Sequence, residues 1–441
     1  MTLPLAANLP PPSRAKRLLA DAALALMFAC AIALCGMSEA LLDRLGLHYT
    51  RSGGLPWEKF HPGTILAALA LAARIASFEH AEAARGFLRR ERALLIFLLA
   101  VLIAALHAVF VSGNPVTGLV DTFVLPVLLV LLIDDLRPDL RRRLAVVLCV
   151  CVGLNACIGL SEFLFDWRLV PAAVSDPYDP TDYRAQAAID WRATALLGHP
   201  LQNAVVTGAF ILCLASGGCR WLPTGIRILL VTVATLSMAA FGGRASLVLT
   251  VAGLVAFAGG AAARHLLSGR RLPHRRLALA FIAAPFLAMG VVLVIESGIF
   301  SKLIERFVDD QGSAKARVVM WDMFDPLSWT DILFGPDPAV VRTTQRLLGI
   351  ELGIESFWVA ISLDYGLIVA SGLFLGLGLL SWRLIASRRP GAASVLLFYF
   401  AVASTSTGLS SKTTGLGLVT LMVLALLQKS PRHTMGSPAQ S

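Results

Sequence analysis

Residues 93–111 read ALLIFLLAVLIAALHAVFV, nineteen positions without a single Lys, Arg, Asp or Glu. As an α-helix such a run is about 30 Å long, the thickness of the hydrocarbon core of a bilayer. It does not alternate apolar and polar positions, as the roughly 10-residue strands of a membrane barrel would. Arg89, Arg90 and Arg92 precede it, and Gly113-Asn114-Pro115 separates it from a second apolar run, Val116–Ile133. The pair reads as two helices crossing a membrane and joined by a tight turn.

Extending this reading in both directions gives twelve runs. The first half holds Ala22–Leu41, Gly63–Phe78, Ala93–Val111, Val116–Ile133, Leu144–Phe163 and Asn203–Gly218. The second half holds Ile226–Phe241, Ala245–Ala263, Leu277–Ile295, Phe357–Ser381, Ala392–Ser404 and Leu416–Leu427. The whole chain agrees: of 441 residues 57% are hydrophobic and 15% charged, against about 25% charged in a soluble domain. A mean hydropathy of +0.74 excludes a soluble enzyme and a disordered chain. The 36 Gly and 22 Pro suit helices packed in a bilayer. The first run is long enough to span and has no small-residue cleavage site, so it reads as a retained anchor. All seven cysteines fall in spans or at a cytoplasmic edge, and none shows metal-ligand spacing.

Basic residues orient the bundle, because positively charged loops stay in the cytoplasm. With the N-terminus inside, 23 of the 38 Lys and Arg lie in inner segments, including the Arg137/Arg141/Arg142/Arg143 and Arg383/Arg388/Arg389 groups. Arg74 lies near the inner end of a span, where it can snorkel. The net charge of +10 then largely fixes topology and need not imply nucleic acid. The expected architecture is all-α and polytopic, with about 12 transmembrane helices and two long outer loops. Its segments are residues 1–163 (helices one to five), 164–202 (first loop), 203–295 (helices six to nine), 296–356 (second loop), 357–427 (helices ten to twelve) and 428–441 (a polar inner tail).

Charge that could do chemistry concentrates in the outer loops. Arg244 in FGGRASLVL sits in a tight turn where the next helix begins, and a helix N-terminus beside a guanidinium attracts phosphate. The competing reading is an arginine that snorkels to headgroups. Arg192, His199 and Pro200 precede one span, and Arg184 lies earlier in the same loop. Arg317 and Trp321 are four apart in the second loop and share a face if that segment is helical. Several guanidinium groups on one side of the membrane suit a doubly charged diphosphate.

The stretch IESFWVAISLDYG opens the tenth span. Glu355 at its mouth is a candidate general base, with a capping or salt-bridge role beside a loop Arg as its rival. Ser356 follows it, and Asp364 lies about two and a half turns deeper, where a carboxylate must face a cavity or a partner. Asp121 and Glu162 are further membrane acids that could line a cavity. DPYDPTDY reads as turns in preference to a calcium loop. The absence of a DxD pair argues against a metal-dependent nucleotide-sugar transferase, so no cofactor is expected.

With these residues in place the chain resembles the family of O-antigen ligases and Wzy-type polysaccharide polymerases. That family has an SRG-like turn between two spans, a long external loop with Arg before Trp, and a span opening with a His-Asn-like pair followed by an acid and a Gly. Here Gly243-Arg244 stands for the turn, Arg317 and Trp321 for the loop, Glu355 and Ser356 for the pair, and Asp364 and Gly366 for the acid and glycine. The match runs from about Arg192 to Gly366. Glu355 replaces the His that ligases are expected to use, which points to the polymerase branch. The resemblance implies a GT-C-like fold in the bacterial inner membrane, with both termini cytoplasmic. It also implies metal-independent transfer of undecaprenyl-diphosphate-linked oligosaccharide on the periplasmic face. In that activity Glu355 is the base, Arg244, Arg317 and Arg192 bind diphosphate, and Trp321, His199, Arg184, Ser356 and Asp364 contact sugar or line the cavity. A chain-length regulator and export proteins are its expected partners. The alternatives are a ligase that acts on lipid A core or protein, and a flippase or transporter of lipid-linked oligosaccharide.

Overall fold

The computed structural model describes residues 13–51, 53–78, 86, 91–170, 192–268, 313–350, 353–387 and 389–427. Every regular element among them is helical: α1 (Arg14–Gly36), α2 (Glu39–Arg44), α3 (Pro62–Ala76), α4 (Arg92–Ser112), α5 (Val116–Ile133), α6 (Pro138–Phe165), α7 (Pro200–Ala215), α8 (Thr224–Phe241) and α9 (Arg244–Leu267). After residue 312 come α10 (Ser313–Val319), α11 (Trp329–Phe334), α12 (Pro338–Leu347), α13 (Phe357–Ala386), α14 (Ala392–Ala403) and α15 (Gly415–Leu426). Six of them, α1, α4, α5, α6, α8 and α13, are long and apolar enough to cross a membrane. Shorter apolar helices lie at α3, α7, the first part of α9, α14 and α15. The expected run Leu277–Ile295 and the tail 428–441 lie outside the described residues.

Helix α15 is the axis of the bundle. All twelve of its residues are buried, and it packs against α5, α6, α7 and α14. A helix apolar on every side needs neighbours on every side, and Gly417 lets α15 approach closely, since a Cβ there would lie 2.6 Å from Leu125 Cδ2. Around this centre α1 packs on α3 and α6, α4 on α13, α7 on α8 and α9, and α9 on α14.

The two ends of the bundle differ. At one end arginines satisfy the carbonyls that helix C-termini leave unpaired. Arg74 donates to Leu131 O (2.6 Å) and Leu132 O (2.8 Å) at the end of α5, and Arg389 donates to Leu424 O (2.9 Å) and Leu427 O (2.7 Å) at the end of α15. Asp134 joins them, 2.9 Å from Arg383 and 3.0 Å from Arg389, while Arg383 also pairs with Glu91 at 2.6 Å.

At the other end, hereafter the loop end, lie α2, the segment before α7, helices α10–α12 and the connection between α14 and α15. Two helices are widened there. Ala108–Ser112 closes α4 as a π turn, and Val120–Val124 is a π turn inside α5. Such turns carry an extra residue per hydrogen-bonded ring and are frequent at functional sites. The second brings Asp121 and Thr122 to the loop end, where Thr122 Oγ1 donates to Thr413 O and accepts from Thr413 N, both at 3.2 Å.

Candidate functional site

Three adjoining cavities open at the loop end. One of about 160 Å³ is lined by Asn114, Thr122, Asp364, Ser411 and Lys412. A second of about 570 Å³ shares Asn114 and Asp364 and adds Asp337, Arg342 and Gln345. A third of about 290 Å³ shares Ser411 and Lys412 with the first and adds Glu39, His199, Gln202 and Tyr399. Polar groups and space are thus concentrated at one end of an otherwise apolar bundle, as at many ligand sites.

Lys412 forms the wall between the first and third cavities. Its Nζ donates to Tyr49 O (2.8 Å) and Lys59 O (2.6 Å), lies 3.4 Å from the Tyr49 ring centre and 3.9 Å from Asp121 Oδ2. Asp121, fully buried, accepts from Tyr49 Oη (2.9 Å) and His61 N (3.1 Å). This acid therefore holds the 45–61 segment and does not open onto a cavity. Burial pushes the Lys412 amine down to about 8, against the opposing pull of Asp121 and Glu39. Neither Lys412 nor Glu39 was singled out by sequence. The signals were the run STSTGLSSKTTG, a lone cation among hydroxyls between apolar helices, and an acid inside the first expected span.

Residues 192–199 are fixed from three sides. Glu162, also buried, accepts from Thr194 N and Ala195 N (2.8 Å each) and from Leu169 N (2.9 Å). Asn155 accepts from Leu196 N (2.9 Å) and donates to Asn203 Oδ1 (2.8 Å), whose amide returns to Thr194 O and His199 O. Ala193 N donates to Ala240 O at 3.1 Å, which joins this segment to the end of α8 just before Arg244. Arg192 is buried here. His199 is open to the third cavity, and the protein around its ring, and then the charge of Arg192, push it down to about 4.

The turn before Arg244 has a steric logic. Gly242 closes α8 with φ 65°, and a Cβ on Gly243 would lie 2.5 Å from Ala204 Cβ. The close approach of this turn to α7 leaves no room for a side chain at Gly243. Arg244 then starts α9.

In the second loop Arg317 Nε lies 3.0 Å from Glu355 Oε2, both half-buried. The residue expected as base is thus held by the residue expected as a phosphate ligand. Trp321 is 59% exposed and stands 6.4 Å from Phe324, while Met320 and Met323 anchor the segment on Ile350, Ile354 and Leu363. Ser356 is buried at the start of α13 without a side-chain capping bond. Asp364 lines the first two cavities, and at Gly366 (φ 71°, ψ 158°) helix α13 breaks to receive the backbone of Leu333–Gly335. Arg184 and DPYDPTDY lie outside the described residues. No cluster of metal ligands occurs among the described residues.

No family model matches the chain, and no curated protein matches its sequence.

Proposed function

We propose that the protein is a polysaccharide polymerase that joins lipid-diphosphate-linked repeat units in exopolysaccharide or O-antigen synthesis. The observation that carries the reading is the grouping of cationic side chains and polar cavities at one end of an apolar helical bundle. In this reading that end faces the periplasm, the arginine-capped end faces the cytoplasm, and the membrane is the bacterial inner membrane. The arginine distribution supports that orientation through the positive-inside rule.

The chemistry suited to such a site is a displacement at an anomeric carbon. As the glycosidic bond breaks, charge grows on the departing undecaprenyl diphosphate, and preorganised cations stabilise that charge more in the transition state than before it. Arg244 at the start of α9, with buried Arg192 nearby, is the proposed diphosphate ligand. Arg317 is available to the same charge when Glu355 releases it, so their ion pair is a switchable contact in this mechanism. The lipid tail lies between helices, against side chains such as Leu99, Leu102 and Phe110 that the bundle leaves exposed.

The test is purified protein supplied with lipid-linked repeat unit, its products resolved by size. Arg244→Ala is expected to reduce polymer about 10²–10³-fold, the effect of removing one such charge-stabilising group, while the protein still inserts. Full-length polymer from that variant would overturn the role of Arg244. A single conjugate to another acceptor would indicate a ligase, and no covalent product would indicate a transporter.

A further inference from the structure

The acids at the loop end are mostly committed to structure. Asp121 is held by Tyr49 and His61, Glu162 by three backbone N–H groups, and Glu355 by Arg317. Two differ, since neither carboxylate accepts a hydrogen bond from the described residues: Asp364, within α13, lines the first two cavities, and Glu39, on the short helix α2, lines the 290 Å³ cavity. The same cavity is lined by Gln202 and His199 from the start of α7 and by Thr407, Ser411 and Lys412 from the connection between α14 and α15. Its apolar lining is Leu201, Val205, Val206 and Ala403. A lining that combines hydroxyl, amide and imidazole groups with apolar side chains suits a sugar, which has hydroxyl edges and an apolar C–H face. The volume is at the small end of ligand pockets, which start at about 300 Å³, so the site suits one sugar residue and not a chain.

On the polymerase reading, on which this assignment rests, we infer that this cavity holds the acceptor sugar and that Glu39 is the catalytic base that takes the proton of its attacking hydroxyl. The hydroxyl O–H bond breaks and its proton passes to Glu39. The oxygen forms a bond to the anomeric carbon of the donor sugar. The bond from that carbon to the lipid diphosphate breaks, and its electron pair leaves on the diphosphate. The proton on Glu39 is then lost to water.

The surroundings fit this role. Lys412 faces Glu39 from the α14–α15 connection, Asp121 from α5 and His199 from α7, with Asp43 on its own helix and Tyr399 on α14. Tyr49 and His61 line the small neighbouring cavity that Glu39 also touches. Glu39 is open to the cavity, yet the protein packed around it pushes its carboxyl up to about 7; Lys412 opposes this, and Asp43 and Asp121 add to it. A base with such a value is both ionised and basic enough to act near neutral pH. Because Glu39 works as the anion, the rate rises with pH up to about 7 and levels off above it, for as long as Lys412 keeps its charge.

The experiment uses the full-length protein in lipid nanodiscs, with lipid-diphosphate-linked repeat unit from the producing cells as probe, and product ladders read from pH 5.5 to 8. The wild type is expected to gain about tenfold in rate per pH unit below 7. Glu39→Gln is expected to lose about 10²-fold or more in kcat, with substrate still bound. Glu39→Asp keeps a proton acceptor, so it retains a ladder with a displaced acid limb, and this variant decides the matter if the Gln form folds poorly. A wild-type ladder with Glu39→Gln at full rate, or Glu39→Asp with an unmoved acid limb, would overturn the assignment while leaving the polymerase reading intact. No ladder from the wild type would overturn both.

Discussion

Position 162 shows how little a membrane acid declares of its role from its type alone. By sequence Glu162 is a carboxylate inside an apolar run and a candidate cavity residue, yet its oxygens are occupied by the N–H groups of Leu169, Thr194 and Ala195. It therefore positions Arg192 and His199 instead of meeting a ligand. In Glu162→Gln, the amide can satisfy Thr194 and Ala195 only by turning its NH₂ toward Leu169. The expected cost is about 1–3 kcal/mol, read as a lower thermal midpoint and faster amide exchange at 193–196. Glu39 and Lys412 were illegible for a related reason. Lys412 meets Tyr49 across 363 positions of sequence, and no local pattern encodes such a meeting. Arg317 and Glu355, 38 apart, were each legible as chemistry-bearing residues, and their pairing was foreseen only as the rival to a catalytic role.

Among elements, periodicity and length served well where the chain is apolar and poorly at the ends. Eleven of the twelve expected runs coincide with helices, and the twelfth falls outside the described residues. The first run was expected to continue to Leu41, but α1 ends at Gly36 because Ser38 caps a new helix, its hydroxyl accepting from Leu41 N. That break turns Glu39 from a span residue into a cavity residue. In the other direction α6 begins at Pro138, earlier than the expected Leu144, since Pro suits a first helical turn and the following arginines need not lie in the apolar layer. The π turns in α4 and α5 left no trace in hydropathy, which records composition and not hydrogen-bond spacing. Gly366 makes an element-scale prediction. A Cβ there would lie 2.4 Å from Gly335 N and 2.5 Å from Leu333 O, in a conformation with φ 71° that side chains rarely adopt. Gly366→Ala is expected to cost about 3 kcal/mol or more and to release α11 from α13, seen as a loss of folded yield and protease protection around 329–335.

At the scale of the whole molecule, the bundle separates a rigid end from a hollow one. The rigid end is cross-linked by Asp134, whose two oxygens meet Arg383 and Arg389, the latter fully buried. Replacing one partner of a buried ion pair leaves uncompensated charge, so Asp134→Ala is expected to destabilise the fold by about 3–5 kcal/mol. Thermal unfolding in nanodiscs measures this. The all-helical membrane-type fold was legible from composition and run length; the cavities were not, because they arise from six or more segments meeting at their ends.

The arginine caps also constrain the order in which the chain can be completed during synthesis. Asp134 emerges early, but its partners arrive some 250 residues later, and the carbonyls that Arg389 satisfies, at Leu424 and Leu427, come later still. Arg383 and Arg389 reach Asp134 before α15 is made, but until α15 takes its place the face of α5 that packs on it is uncovered. The early helices α1, α3, α5 and α6 can pack on one another before then, and α15, which follows them in the chain, closes the bundle. A nascent chain lacking only α15 would be inserted but not closed, and would offer its open seam to quality-control proteases.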